Sequence, residues 1–317
     1  MPARVLYGDL SKYGHVTLAL GRSGSDPEAY ERFDCASLEQ LEDGLARFLR
    51  ERDALDLDAA AFSACGWEQA GGLSMHNHNF AISRNWLKDV LNIQRLHLVN
   101  DCVAMAMAVD RSTTEDLVEV HAGAGDDQAV KGLIAAGIGL GTAMLTEEDG
   151  RIVVLPCEGG HSALPVSGDE EIEVARALRR RVPYLSREAA ISFTGLALTH
   201  AALGEVRGQA AEGEAGDIIA RARAGDALAA RAVGLMVDWL AAMASDVVLM
   251  FGAHGGIYLS GALVEQIGGL IDPAAFSKRY ADKGRLSQYV SSVPVYHFTL
   301  AEQMILGLST LFDYDPR

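Results

Sequence analysis

With 317 residues, 49% of them hydrophobic and 22% charged, the chain has ordinary globular composition and length enough for two domains, which excludes disorder as its main state. A formal net charge of −16 excludes a basic surface for gripping a nucleic-acid backbone or an anionic membrane. It leaves room for a phosphate held locally by backbone N–H groups or a metal ion. Cys35, Cys65, Cys102 and Cys157 have no CxxC or zinc-type spacing and read as reduced thiols of a cytoplasmic protein. After Arg4 the apolar run covers only Val5 to Tyr7, too short for a secretory leader.

Residues 4–10 and 15–20 read as a β-hairpin around Ser11-Lys12-Tyr13-Gly14. Leu38, Leu41, Leu45 and Phe48 have helical spacing over 38–49. Residues 59–64 read as a short buried strand, and 86–91 as a helix continuing from a Ser83 cap. A strand over 96–99 delivers Asn100-Asp101 to its carboxyl end, before a helix over 102–109. The glycine- and acid-rich stretch 123–128 is a surface connection near a domain boundary. Strands over 130–136 and 142–146 flank Gly137-Ile138-Gly139-Leu140-Gly141, and Asp149-Gly150 turns into a strand over 151–155.

From about Asp169 the chain is mainly helical. The Ala-, Gly- and charge-rich stretch 210–232 reads as a solvated helical pair, with Ile218, Ile219, Leu228 and Val233 supplying apolar contacts. A helix over 231–250 precedes a strand over 257–260. The nearly uncharged stretch 247–264 contains four glycines, so it reads as a helix end, a glycine turn and a buried strand rather than a membrane span. This order of elements implies α/β architecture, without a solenoid-type repeat.

Four elements can carry chemistry. Asp101, at the end of a buried strand, is placed either to take a proton from an attacking hydroxyl or to cap the following helix. In Pro156-Cys157-Glu158-Gly159-Gly160-His161, the glycines let Glu158 and His161 reach one polyol, or form a plain turn; a metal reading lacks a third ligand. Gly137, Gly139 and Gly141 either offer N–H groups to a phosphate or make an ordinary turn between strands. His76-Asn77-His78-Asn79 is a loop hydrogen-bonding run, a wall of a polar site or, less simply, a metal site.

Taken together these residues resemble the bacterial glucokinase family, of hexokinase/actin-like (ribonuclease H-like) fold. The resemblance spans nearly the whole chain: Gly8-Asp9, Asn77-His78 before Phe80-Ala81-Ile82-Ser83, Leu98-Val99-Asn100-Asp101, Gly139-Leu140-Gly141, Pro156 to His161, Asp282-Lys283-Gly284-Arg285 and Pro294-Val295-Tyr296. It implies two α/β domains with a cleft between them, a small one over 1–108 plus 299–317 and a larger one over 109–298. It implies Asp101 as catalytic base, and Asn100, Glu158, His161 and Glu188 as sugar ligands. Asp9, Lys12, Gly137, Gly139, Gly141 and Gly261 fall on the nucleotide side. ATP and Mg²⁺ are the implied cofactors; no side chain ligates the metal directly, and Asp9 reaches it through water at most. Expected partners are glucose or a similar hexose and a nucleotide, with a homodimer as the assembly to test, and neither nucleic acid nor membrane.

The departures all lie on the nucleotide side. The family's first phosphate loop, Asp-x-Gly-Gly-Thr, is replaced by Asp9-Leu10-Ser11-Lys12-Tyr13-Gly14. Ile138 stands where the family carries Thr, and Gly261-Ala262 where it carries Gly-Gly. The implied activity is ATP-dependent phosphorylation of glucose to glucose 6-phosphate. The alternatives are a sugar-binding regulator with weak or lost kinase activity, and a kinase for another sugar.

Overall fold

The structure is a computed structural model and describes residues 2–69, 72–75 and 80–313. The run 76–79, singled out above, lies outside the described residues. The chain forms two compact units, Met1–Ser112 with Leu300–Arg317, and Thr113–Thr299.

In the first unit, β1 (Arg4–Asp9), β2 (His15–Arg22) and β3 (Glu28–Asp34) form an antiparallel meander. Helix α1 (Leu38–Glu51) leads into β4 (Ala59–Ala64). A small ribbon of β5 (Gly66–Gln69), β6 (Gly72–Met75) and β7 (Ile82–Ser83) follows, then α2 (Arg84–Leu91), β8 (Arg95–Asn100) and α3 (Asp101–Ala108). The main sheet runs β3-β2-β1-β4-β8, with β1, β4 and β8 parallel.

The helices start where capping chemistry allows. Ser37 accepts from Gln40 N–H, and Ser83 accepts from Trp86 N–H, which satisfies orphan donors of the first turn. Strand alternation then splits the core in two. Leu6, Leu18 and Phe62 pack with Leu41, Phe48 and Leu87 on one face. Val5, Tyr7 and Ala61 pack on the other with Ile305, Leu308 and Phe312, of the last helix, Gln303–Thr310, and the turn after it. Each such large apolar side chain contributes about 1.5–3 kcal/mol on burial.

The second unit comprises β9 (Leu117–His121), β10 (Lys131–Ala136), β11 (Leu140–Glu148), β12 (Arg151–Cys157), α4 (Asp169–Leu178), α5 (Phe193–Arg207), α6 (Ala215–Arg223), α7 (Ala227–Phe251), β13 (Ile257–Ser260), α8 (Ala262–Ile267), α9 (Pro273–Tyr280), α10 (Ser287–Ser291) and β14 (Val295–Phe298). Its sheet runs β12-β11-β10-β13-β14-β9. The first five of these repeat the pattern of the other sheet, an antiparallel meander followed by two parallel strands. By this equivalence the loop after β1 corresponds to the loop after β10. Asp149 and Gly150 both have positive φ, 51° and 73°, as a type I′ hairpin turn requires.

Helix α7 forms the centre of this unit's core, with Trp239 fully buried and its indole N–H donating to Glu171 at 3.0 Å. It starts at Ala227, earlier than the sequence pattern indicates, because Asp226 caps it by accepting from Ala229 N–H. Among the described residues it is the one helix long and apolar enough to cross a membrane, yet 72% of its most apolar window is buried inside the protein. Gly252 ends it in the left-handed conformation. Within 210–232 the chain forms the expected helical pair, over 215–223 and from Ala227, with Ile218, Ile219, Leu228 and Val233 all buried.

Candidate functional site

In the first unit the parallel strands deliver polar residues at their carboxyl ends, where α/β sheets hold ligands. Asp9 pairs with Ser63 in register, and Ala64 with Asn100. Asp9 is 2% exposed; its Oδ1 accepts from Ser11 N–H at 2.8 Å and from the Ser63 hydroxyl at 3.1 Å. Its other oxygen has no hydrogen-bond partner among the described residues.

Asn100 is the N-cap of α3: its Oδ1 accepts from Cys102 N–H at 2.8 Å, and its amide nitrogen donates to the Gly66 carbonyl at 2.8 Å. The capping alternative for Asp101 is therefore corrected. Asp101 is the first residue inside the helix, which begins one position earlier than expected, and its Oδ1 shares the Cys102 N–H at 3.0 Å. Loss of solvation pushes the Asp101 carboxyl up to about 6; the negative charge of Asp9 adds to the rise, while the Cys102 N–H and the Cys65 thiol oppose it. A carboxylate tuned to this range is suited to general-base work at neutral pH.

In the second unit Glu158 and His161 stand at the two ends of a tight turn. The turn lies hard against β11: Gly159 N–H donates to Thr142 Oγ1 at 3.0 Å, and a Cβ on Gly160 would sit 1.9 Å from the Leu140 carbonyl oxygen. Glycine is thus imposed here by close approach. Glu188 is brought onto the same turn, its N–H donating to the Gly160 carbonyl at 2.9 Å and its Oε1 lying 3.8 Å from His161 Nε2. The neighbouring Arg187 is buried and donates to Asp246 at 2.8 Å, and Asp246 also pairs with Lys283 at 2.5 Å. This triad anchors the Ser186-Arg187-Glu188 segment and accounts for Lys283 of the Asp-Lys-Gly-Arg element. The sequence alone gave no sign of Asp246 as its partner, because the two are 37 residues apart.

The glycine loop after β10 is partly occupied by protein. Gly137 N–H donates to the Gly139 carbonyl at 2.9 Å, and Leu140 N–H to Glu188 Oε2 at 2.9 Å. A Cβ on Gly139 would lie 2.8 Å from that same Oε2. Gly141 pairs with Ala135 inside the β-ladder, so it does not stand at the loop tip as a phosphate donor would. Among the described residues, Ile138 and Gly139 N–H have no acceptor, and the Ile138 side chain is 74% exposed. Gly261, with φ of 97°, packs where a Cβ would meet the Ala136 carbonyl at 2.4 Å, which gives it a structural reason independent of any nucleotide.

The equivalent loop after β1 is more open. Leu10 N–H donates to the Ser63 carbonyl and Ser11 N–H to Asp9, and Gly14 turns the chain with φ of 71°. The N–H groups of Lys12, Tyr13 and Gly14 have no acceptor among the described residues, and the Lys12 and Tyr13 side chains are exposed. No group of three metal-ligating side chains occurs among the described residues, and none of the four cysteines is in a disulfide.

Comparison with known proteins supplies a frame for this geometry. The family model for glucokinase matches residues 14–314. A protein of Caulobacter vibrioides named a glucokinase-like protein is 36% identical over 299 residues, 94% of this chain and 93% of that protein. A protein of Burkholderia thailandensis named bifunctional protein glk is 32% identical over 86% of this chain, which spans only 43% of that protein's length. The crystal structure of a glucokinase from an Antarctic psychrotroph superposes with a TM-score of 0.89 at 24% identity, over 99% of this chain and all of that one. That likeness bears on the fold.

Proposed function

The chain belongs to the glucokinase family, and we propose that it phosphorylates glucose with ATP, using Asp101 as the general base. The observation that carries this reading is the carboxylate of Asp101 at the end of β8, raised to about 6 and set beside Asp9. The sugar 6-hydroxyl oxygen attacks the γ-phosphorus, the bond from that phosphorus to the bridging oxygen breaks, ADP leaves, and the hydroxyl proton passes to Asp101. Glu158, His161 and Glu188 are the sugar-hydroxyl ligands in this reading, supported by the turn that gathers them. Asn100 orients Asp101 and contributes its spare amide hydrogen and lone pair to the sugar.

On the nucleotide side, among the described residues, Asp9 has one carboxylate oxygen free, and Lys12, Tyr13, Gly14, Ile138 and Gly139 have N–H groups free for phosphate oxygens. Gly137, Gly141 and Gly261 serve by shaping the backbone. The spare oxygen of Asp9 suits a water of Mg²⁺, an ion that would neutralise charge on the transferred phosphoryl group. The buried core helix and the acidic composition suit a cytoplasmic setting.

A coupled assay for glucose 6-phosphate with the purified protein tests the proposal. Turnover that requires both glucose and Mg-ATP supports it. Tight glucose binding without turnover would favour the regulator reading, to which the altered loops at Lys12-Tyr13 and Ile138 point. Turnover with another hexose and none with glucose would change the substrate and keep the base.

A further inference from the structure

A pocket of about 520 Å³ opens on the second unit between α4, the segment around Leu164 to Val166, and the segment around Val182 to Leu185. Its size is that of a small-molecule site. The walls are apolar, with Val166, Ile172, Val182 and Tyr184 contributing, and the charged groups in the lining are two guanidiniums, Arg176 and Arg179. Neither has a carboxylate partner among the described residues. Their neighbours differ: Arg180 and Arg181 both pair with Glu205, and Arg207 and Arg231 both pair with Glu170. In a chain of net charge −16, two unpaired arginines three positions apart, one in the last turn of α4 and one at its C-cap, beside an apolar wall are a distinct local feature. The end of α4 favours cations through its dipole, but that does not explain the exposed Tyr184 and Val166 facing them.

The walls of this pocket are also the far end of the sugar-ligand segments. Leu164 N–H donates to the Leu185 carbonyl at 3.1 Å, Arg187 N–H to Ser162 at 2.9 Å and Glu188 N–H to Gly160 at 2.9 Å, with Ala163 bridged to Ser186. One end of this two-stranded ribbon carries His161 and Glu188. The other end is the pocket wall.

We infer that this pocket is an effector site for an amphipathic organic anion, a carboxylate with an apolar body, whose occupancy is read by His161 and Glu188 through the ribbon. The anion is held by Arg176 and Arg179, whose planar donors match a carboxylate, and its body lies against Ile172, Val182 and Tyr184. The coupling half rests on the sugar-ligand reading above; the binding half stands on the pocket alone.

The test is calorimetric titration of the whole chain with 4-phenylbutyrate, alone and with glucose. Saturable binding is expected, weaker by at least about tenfold in the doubly substituted Arg176→Ala/Arg179→Ala protein. The neutral 4-phenylbutanol should bind less tightly than the acid. Saturating phenylbutyrate should change glucose affinity severalfold, and glucose should change phenylbutyrate affinity by the same factor, since coupling is reciprocal. Both substituted side chains are exposed, so the variant should fold, and an unchanged melting curve checks it.

No saturable binding, or binding unchanged in the double variant, overturns the site. So does a shift in oligomeric state of the double variant without anion binding, which would make this face a contact between copies of the chain. Binding with no reciprocal effect on glucose overturns the coupling. Absence of glucose binding itself would sink the sugar-ligand reading instead, and the anion titration would still decide the pocket.

Discussion

Glu188 Oε2 accepts a hydrogen bond from Leu140 N–H at 2.9 Å, so one carboxylate joins the Glu-Gly-Gly-His turn to the glycine loop after β10. Removing it should therefore disturb two ligands at once. In Glu188→Ala, glucose affinity should fall about tenfold or more, and the Michaelis constant for ATP should rise as well, because the loop loses a charged hydrogen bond. Glu188→Gln keeps an acceptor for Leu140 and should spare ATP more than glucose. Equal losses for both ligands in both variants would show that Glu188 acts only through folding.

Glu158 and His161 should matter to the sugar alone. Each would lose a partner to a buried hydroxyl on truncation, a cost of about 1–3 kcal/mol. Calorimetry on Glu158→Ala and His161→Ala should show weakened glucose binding with unchanged ATP binding. Unaltered glucose affinity in both would return the motif to a plain turn.

Much of this arrangement is legible in the residue order. The β1–β2 hairpin, β4, the Ser83 cap, the Asp149-Gly150 turn and β13 are set by local patterns, and local patterns are what a sequence displays. Strand β3 escapes such reading because four of its seven residues are charged. It holds at the sheet edge through pairing with β2 and through Glu31, which meets both Arg47 and Arg52 at 2.8 Å. The helix cap at Asn100 rather than Asp101 depends on one peptide rotation that composition does not encode. Gly139, Gly160 and Gly261 read as phosphate or turn glycines in the sequence, yet each also avoids a specific atom brought in by tertiary packing.

As the proposed base, Asp101 should set the acid limb of the reaction. Its carboxyl is raised to about 6, and only the ionised form accepts a proton. Turnover at low substrate should therefore fall as pH drops below about 6, with the group ionised and the rate level above about 7. Asp101→Asn keeps the shape, cannot take the proton, and should lower phosphorylation by at least about a hundredfold while leaving glucose affinity close to that of the parent. A variant turning over near the parent rate would mean that Asp101 only starts α3.

His200 gives the fold its own pH dependence. It is fully buried on α5, and neither ring nitrogen has a hydrogen-bond partner among the described residues. Loss of solvation lowers its pKa, Arg221 acts in the same direction, and Asp226 opposes. The unfolded chain, with an ordinary imidazole near 6.5, then binds more protons than the folded one as pH falls past that value. Stability is full above the unfolded pKa and is lost as pH falls toward the lower folded pKa. Thermal melts at pH 7.5 and 5.5 should differ, and His200→Leu should narrow that difference. The same difference in parent and variant would assign the loss to other groups.

The loop residues at 10–14 and 138 are where this chain departs from the family pattern, and the prediction for nucleotide binding follows from the two loop tips. Tyr13 is 70% exposed and Ile138 74%, so bulky apolar groups project from positions where the family keeps small or hydroxyl-bearing residues. Of the glycine loop's donors, Gly137 and Leu140 are already committed, leaving Ile138 and Gly139 N–H for a phosphate. The loop after β1 offers three more N–H groups at Lys12, Tyr13 and Gly14, but around exposed side chains rather than a glycine pair. Two or three lost contacts at about 1–1.5 kcal/mol each would weaken ATP by about thirtyfold to two-thousandfold. Lys12 recovers part of that as a point charge, a contribution that salt screens. ATP should thus bind clearly more weakly than glucose. Ile138→Thr should tighten it by about two- to tenfold by restoring a hydroxyl, and Lys12→Ala should loosen it most at low ionic strength. Titrating Mg-ATP into the parent and both variants decides the matter: micromolar affinity indifferent to either substitution would show that these loops do not hold the phosphates.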